Sequence, residues 1–124
     1  MPIRVVVADD QPIMLQALVD LLGLAPDIEL VGMARDAEEA IALCELHEPD
    51  VVVVDVVMPD GGGAAVALAV RDRALGIQVI ALSALDDNAN RERMAAAGAF
   101  AYLLKDGPIF ELLDTIRLAA TTAN

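Results

Sequence analysis

Apolar and polar positions follow two rhythms along this chain. Short β-branched or aliphatic runs at Ile3–Ala8, Glu29–Ala34, Val51–Asp55, Gln78–Leu82 and Ala99–Leu104 read as strands. Between them lie longer stretches whose apolar residues recur at helical spacing, as at Leu15, Leu18, Val19 and Leu22. They predict helices from Pro12 to Gly23, from Asp36 to about His47, from Ala64 to about Arg73, from Ala89 to Ala97 and from Pro108 to about Ala120. The boundaries carry their own signals. Pro12 suits a first helical turn, Asp36 with Glu39 three residues on is a capping pattern, and Gly98 closes the fourth helix. Between Pro59 and the third helix, Asp60-Gly61-Gly62-Gly63 predicts a flexible loop. Strict alternation of five strands and five helices predicts an α/β domain wound on both faces of a parallel sheet. No repeat or linker interrupts it before Thr121–Asn124.

Composition narrows the class. The 124 residues suffice for one domain with one core, and the whole chain reads as that domain. Apolar residues make up 57% but aromatics only 2%, so the core is built of Val, Leu, Ile and Ala. Uncharged stretches such as Met94–Leu104, 11 residues broken by Gly98, are too short to cross a bilayer. No basic segment precedes an apolar one at the N-terminus, and the single cysteine, Cys44, cannot form an internal disulfide. A cytoplasmic protein is expected. The net charge of −12 argues against nucleic-acid binding by this chain, because phosphates would repel it.

Chemistry gathers where the strands end. Parallel strands put all their C-terminal ends on one edge, where ligands of open α/β sheets bind. Those ends carry Asp9 and Asp10, Asp55, Ser83 and Lys105. The four valines before Asp55 make it the most telling, since a charge beside a buried strand needs a partner or a cation. Asp9, Asp10 and Asp55 suit magnesium, which takes oxygen ligands and one or two carboxylates. Asp55, on the central strand, is also placed to act as a nucleophile on phosphorus. Ser83 and Lys105 then supply a hydroxyl and a cation for phosphoryl oxygens.

With these residues in this order, the chain resembles the receiver domain of bacterial two-component response regulators along its whole length. The likeness rests on Asp9-Asp10 after the first strand, Asp55 with Met58-Pro59, Ser83-Ala84, and Lys105. It implies a flavodoxin-like fold with strand order 2-1-3-4-5. It further implies that Asp55 accepts a phosphoryl group from a sensor histidine kinase, in a reaction that needs Mg2+. The metal would be held by Asp9, Asp10, Asp55 and the backbone carbonyl of Val57. Ser83 and Tyr102 match the pair that rearranges on phosphorylation, biasing the surface of helix four, strand five and helix five toward a homodimer or a partner. The segments Ile3–Gln11 and Ala101–Asp106 resemble receivers that precede a LuxR-type helix-turn-helix, which implies a DNA-binding domain beyond Asn124. Most receivers carry a proline, in a cis peptide, after the lysine; here Asp106 follows, and no such bond is expected.

Two other classes fit less well. A flavin-binding domain needs a hydroxyl- and glycine-rich loop after the first strand, where this chain has Asp9-Asp10-Gln11-Pro12. An aspartyl phosphatase usually carries a second acid two residues after its nucleophile, where this chain has Val57. Cys44 reads as a small packed thiol, and Asp86 and Asp87 as solvated acids opening the fourth helix.

Overall fold

A computed structural model of the chain describes residues 1–122; the predicted domain therefore runs two residues past the described part. The order is β1 (Ile3–Ala8), α1 (Pro12–Leu22), β2 (Ile28–Ala34), α2 (Ala37–His47), β3 (Val51–Asp55), α3 (Gly62–Asp72), β4 (Gln78–Ser83), α4 (Asn88–Ala96), β5 (Ala101–Leu104) and α5 (Glu111–Thr122). The strands form one parallel sheet in the order β2-β1-β3-β4-β5, as expected.

Strand geometry divides the core in two. Successive side chains of a strand point to opposite faces. Val5, Val7, Val51, Val53, Ile80 and Leu82 accordingly pack against α1 and α5, through Leu15, Leu18, Leu22, Leu113 and Ile116. Val6, Ala8, Val52, Val54, Val79 and Ala81 pack against α2, α3 and α4, through Ala37, Ala40, Cys44, Val66, Val70 and Met94. The four valines of β3 are fully buried because both faces of the central strand are covered.

Three element starts lie two or more residues from the sequence reading, each for a physical reason. Strand β5 begins at Ala101 rather than Ala99, because the Ala99 N–H closes α4 onto the Met94 carbonyl. Helix α5 begins at Glu111 rather than Pro108, since Pro108–Phe110 form a turn whose first carbonyl accepts the Glu111 N–H. The expected flexible glycine loop is instead a tight entry into α3, which takes up Gly62 and Gly63. Asp60, Gly61 and Gly62 all have left-handed φ angles, 68°, 101° and 67°. A Cβ on Gly62 would stand 2.2 Å from the Val56 carbonyl oxygen, and one on Gly63 would stand 3.0 Å from that of Asp55. The glycines let α3 approach the end of β3, so they fix the backbone beside Asp55 rather than loosen it. No peptide bond among the described residues is cis.

Candidate functional site

Three strand ends deliver the charged centre. Asp9 follows β1 and is fully buried; Asp55 ends β3 and is 6% exposed. Lys105 follows β5 and spans both, with Nζ 2.8 Å from Asp9 Oδ2 and 3.2 Å from Asp55 Oδ2. Asp10, one residue beyond Asp9, is exposed, yet oxygens of Asp9, Asp10 and Asp55 all lie within 4.8 Å of one another. The sequence reading of these four residues thus becomes one cluster in space.

Main-chain donors orient the two buried acids. The Gln11 N–H donates to Asp9 Oδ1 at 2.9 Å, and the Val57 N–H to Asp55 Oδ1 at 3.2 Å. Each acid therefore spends one oxygen on its own turn and offers the other to Lys105. Burial, and then the charge of Asp9, raise the Asp55 carboxyl above the usual range, outweighing Lys105 and the Val57 N–H. Burial would lower Lys105, but its hydrogen bond to Asp9 and the charge of Asp55 hold it above its ordinary value. Three carboxylates face one ammonium, which leaves two negative charges uncompensated. A divalent ion that prefers oxygen ligands fits that donor set and that charge.

Ser83 ends β4, Tyr102 is the second residue of β5, and both stay out of the carboxylate cluster. Ser83 is 3% exposed, and its Oγ accepts the Leu85 N–H at 3.1 Å. Tyr102, paired with Ala81 across the β4–β5 ladder, donates its hydroxyl to the Leu85 carbonyl at 3.1 Å. The two residues are thus joined through the main chain of one residue, Leu85. Val57 and Leu85 themselves turn outward, 69% and 62% exposed.

One participant escaped the sequence reading. The guanidinium of Arg91, on α4, lies over the Tyr102 ring with Cζ 4.6 Å from the centroid. Its Nε donates to Asp86 Oδ1 at 2.7 Å. One of two arginines on a polar helix, Arg91 carries no periodic signal, and only the folded β4–α4 connection brings it to the ring. Asp87, expected as a solvated first-turn acid, is the N-cap of α4 and accepts from Ala89 and Asn90 N–H groups. Among the described residues, no helix is long and apolar enough to cross a membrane.

Residues 5–117 match the response regulator receiver domain family. The transcriptional regulatory protein YvfU of Bacillus subtilis (strain 168) is 40% identical over 115 residues, covering 93% of this chain and 58% of that protein. The transcriptional regulatory protein DesR of the same organism is 35% identical over 115 residues, 93% of this chain and 57% of its own length. This chain thus spans a little over half the length of these relatives. The signal receiver domain of the response regulator NarL from Mycobacterium tuberculosis superposes with a TM-score of 0.93 at 37% identity, covering 97% of both chains. A DNA-binding response regulator of the LuxR family from Staphylococcus aureus gives 0.89 at 31% identity, over 94% of this chain and 98% of that one. With its fold, its strand-end acids and these likenesses, the chain belongs to the response regulator receiver domain family.

Proposed function

We propose that this domain is a phosphorylation-controlled switch with Asp55 as its phosphoacceptor. The observation that carries this reading is the buried cluster in which Lys105 Nζ bridges Asp9 and Asp55 at 2.8 and 3.2 Å. A carboxylate beside a cation, on a strand end and next to uncompensated negative charge, is a nucleophile that can take a phosphoryl group. The Asp55 oxygen forms the new O–P bond as the N–P bond of a sensor kinase's phosphohistidine breaks. The imidazole nitrogen keeps that electron pair and takes up a proton. Asp9, Asp10, Asp55 and the Val57 carbonyl would hold Mg2+, which supplies charge neutralisation for the phosphoryl oxygens when bound. Lys105 stays protonated and gives the incoming group a fixed cation, while Ser83 offers its hydroxyl from the neighbouring strand. Tyr102, tied to Ser83 through Leu85, carries the change to the α4–β5–α5 surface, where a second copy or an output partner docks.

The relatives' names, together with their greater length, support a transcriptional output through a DNA-binding domain outside this chain. The net charge of −12 supports a receiver that does not itself touch DNA. The test is the intact mass after incubation with acetyl phosphate and magnesium, in wild type and in Asp55→Asn. One added phosphoryl group in the wild type, absent from the variant, is expected. Equal gain in both proteins, or none in either, would overturn the assignment of Asp55.

A further inference from the structure

The segment from Ser83 to Asp86 is held by three hydrogen bonds that involve side chains. Ser83 Oγ takes the Leu85 N–H, and the Leu85 carbonyl takes the Tyr102 hydroxyl. Asp86 takes Arg91 Nε, and the Arg91 guanidinium covers the ring of that same tyrosine. The contacts form a closed loop that begins and ends on the β4–α4 connection. We propose that Arg91 is a positioning residue: it clamps Tyr102 to that connection and thereby restrains the release of Ser83 from Leu85 toward a phosphoryl group on Asp55. The proposal rests on the reading of Asp55 as phosphoacceptor.

Arginine suits this role for a physical reason. Its planar guanidinium can be gripped along an edge by a carboxylate while its face lies on an aromatic ring, which a lysine ammonium cannot match. Both Arg91 and Asp86 are solvent-facing, so their ion pair alone contributes little. Its effect lies in holding the guanidinium over Tyr102. Helix α4 has few competing anchors, because Met94 is the one residue of α4 that is buried. Removal of the clamp therefore loosens Tyr102, and the Leu85 main chain that Tyr102 shares with Ser83.

Tyr102 is the single tyrosine of a chain without tryptophan, so tyrosine emission reports on this ring alone. Wild type, Arg91→Ala and Arg91→Lys are compared in two measurements: tyrosine anisotropy without phosphodonor, and the rate of mass gain with acetyl phosphate and magnesium. Arg91→Ala is expected to lower the anisotropy and to speed phosphorylation about three- to thirty-fold, the range of one exposed cation–π contact plus one surface ion pair. Arg91→Lys, which keeps charge but loses the planar face, is expected to fall between. Anisotropy that does not fall in Arg91→Ala, a rate that does not rise, or Arg91→Lys matching wild type in both would each overturn the clamp. Failure of the Asp55 reading is seen separately, as no mass gain in the wild type, and the anisotropy measurement then still judges Arg91.

Discussion

At Gly62 the backbone φ is 67°, and an added Cβ would meet the Val56 carbonyl oxygen at 2.2 Å. The obstacle is main chain on both sides, so neither partner can swing away. Gly62→Ala is expected to cost about 3 kcal/mol or more, the range of a steric clash at a strained backbone position. Gly76 has a similar φ of 71° but no atom within 4 Å of its would-be Cβ, so Gly76→Ala costs only the left-handed conformation, about 1 kcal/mol. Urea midpoints at unchanged m-value compare them, and equal shifts would mean that the approach of α3 to β3 is not what Gly62 provides. Val57 bears on a different property. It sits two residues after the acid whose Oδ1 it holds, yet its own exposed side chain, like that of Leu85, has no group to orient water. Phosphoryl-Asp55 is therefore expected to decay slowly, and Val57→Asn to shorten its lifetime severalfold. Loss of the added mass over time, followed in both proteins, decides; equal lifetimes would remove Val57 from the account.

Helix α2 shows what packing demands of an element. Its buried positions, Ala37, Ala40 and Cys44, are all small, and Gly32 on β2 leaves room for Leu43, whose Cδ1 would lie 3.1 Å from a Cβ there. Small residues bring the helix close to the sheet, which seals Cys44 completely. Burial, and then the charge of Glu45, push its thiol up to about 12, against about 9 when ordinary. A thiol raised on folding keeps its proton where the unfolded chain loses it. Its contribution is thus whole below pH about 9 and is lost between about 9 and 12, by up to about 4 kcal/mol. Two outcomes are expected: a steep loss of stability in that window, eased in Cys44→Ala, and alkylation at pH 8 only at the rate of α2 undocking. Fast alkylation of the native protein would refute it. The packed state of Cys44 was legible in the sequence, as were all five strands, because apolar runs report burial directly. The α3 entry was not: three glycines are equally the mark of a loose loop and of a close approach, and only the path of the Val56 main chain separates them. Arg91 was beyond reach for another reason, since an exposed contact between α4 and β5 leaves no periodicity behind.

Across the whole molecule, charge and fold pull against each other. A net charge of −12 makes the compact state repel itself, and the fold concentrates three carboxylates at one sheet edge. Any salt relieves the general repulsion by screening, so stabilisation by magnesium alone would not reveal a site. The site's own contribution is what remains when ionic strength is matched with sodium chloride. It saturates, because it follows binding to the folded state only, and reaches about 2.7 kcal/mol at a hundred times the dissociation constant. Asp10 separates the two effects cleanly, being the exposed member of the cluster and outside the Lys105 bridge. Asp10→Asn removes one like charge, so it is expected to melt at or slightly above the wild type in chelator. It also removes a hard oxygen ligand, so it is expected to lose most of the saturating rise in Tm with magnesium. Crossing of the two proteins' melting temperatures between chelator and magnesium is the signature of a metal held by these acids. Parallel curves would assign the response to screening of the whole acidic surface.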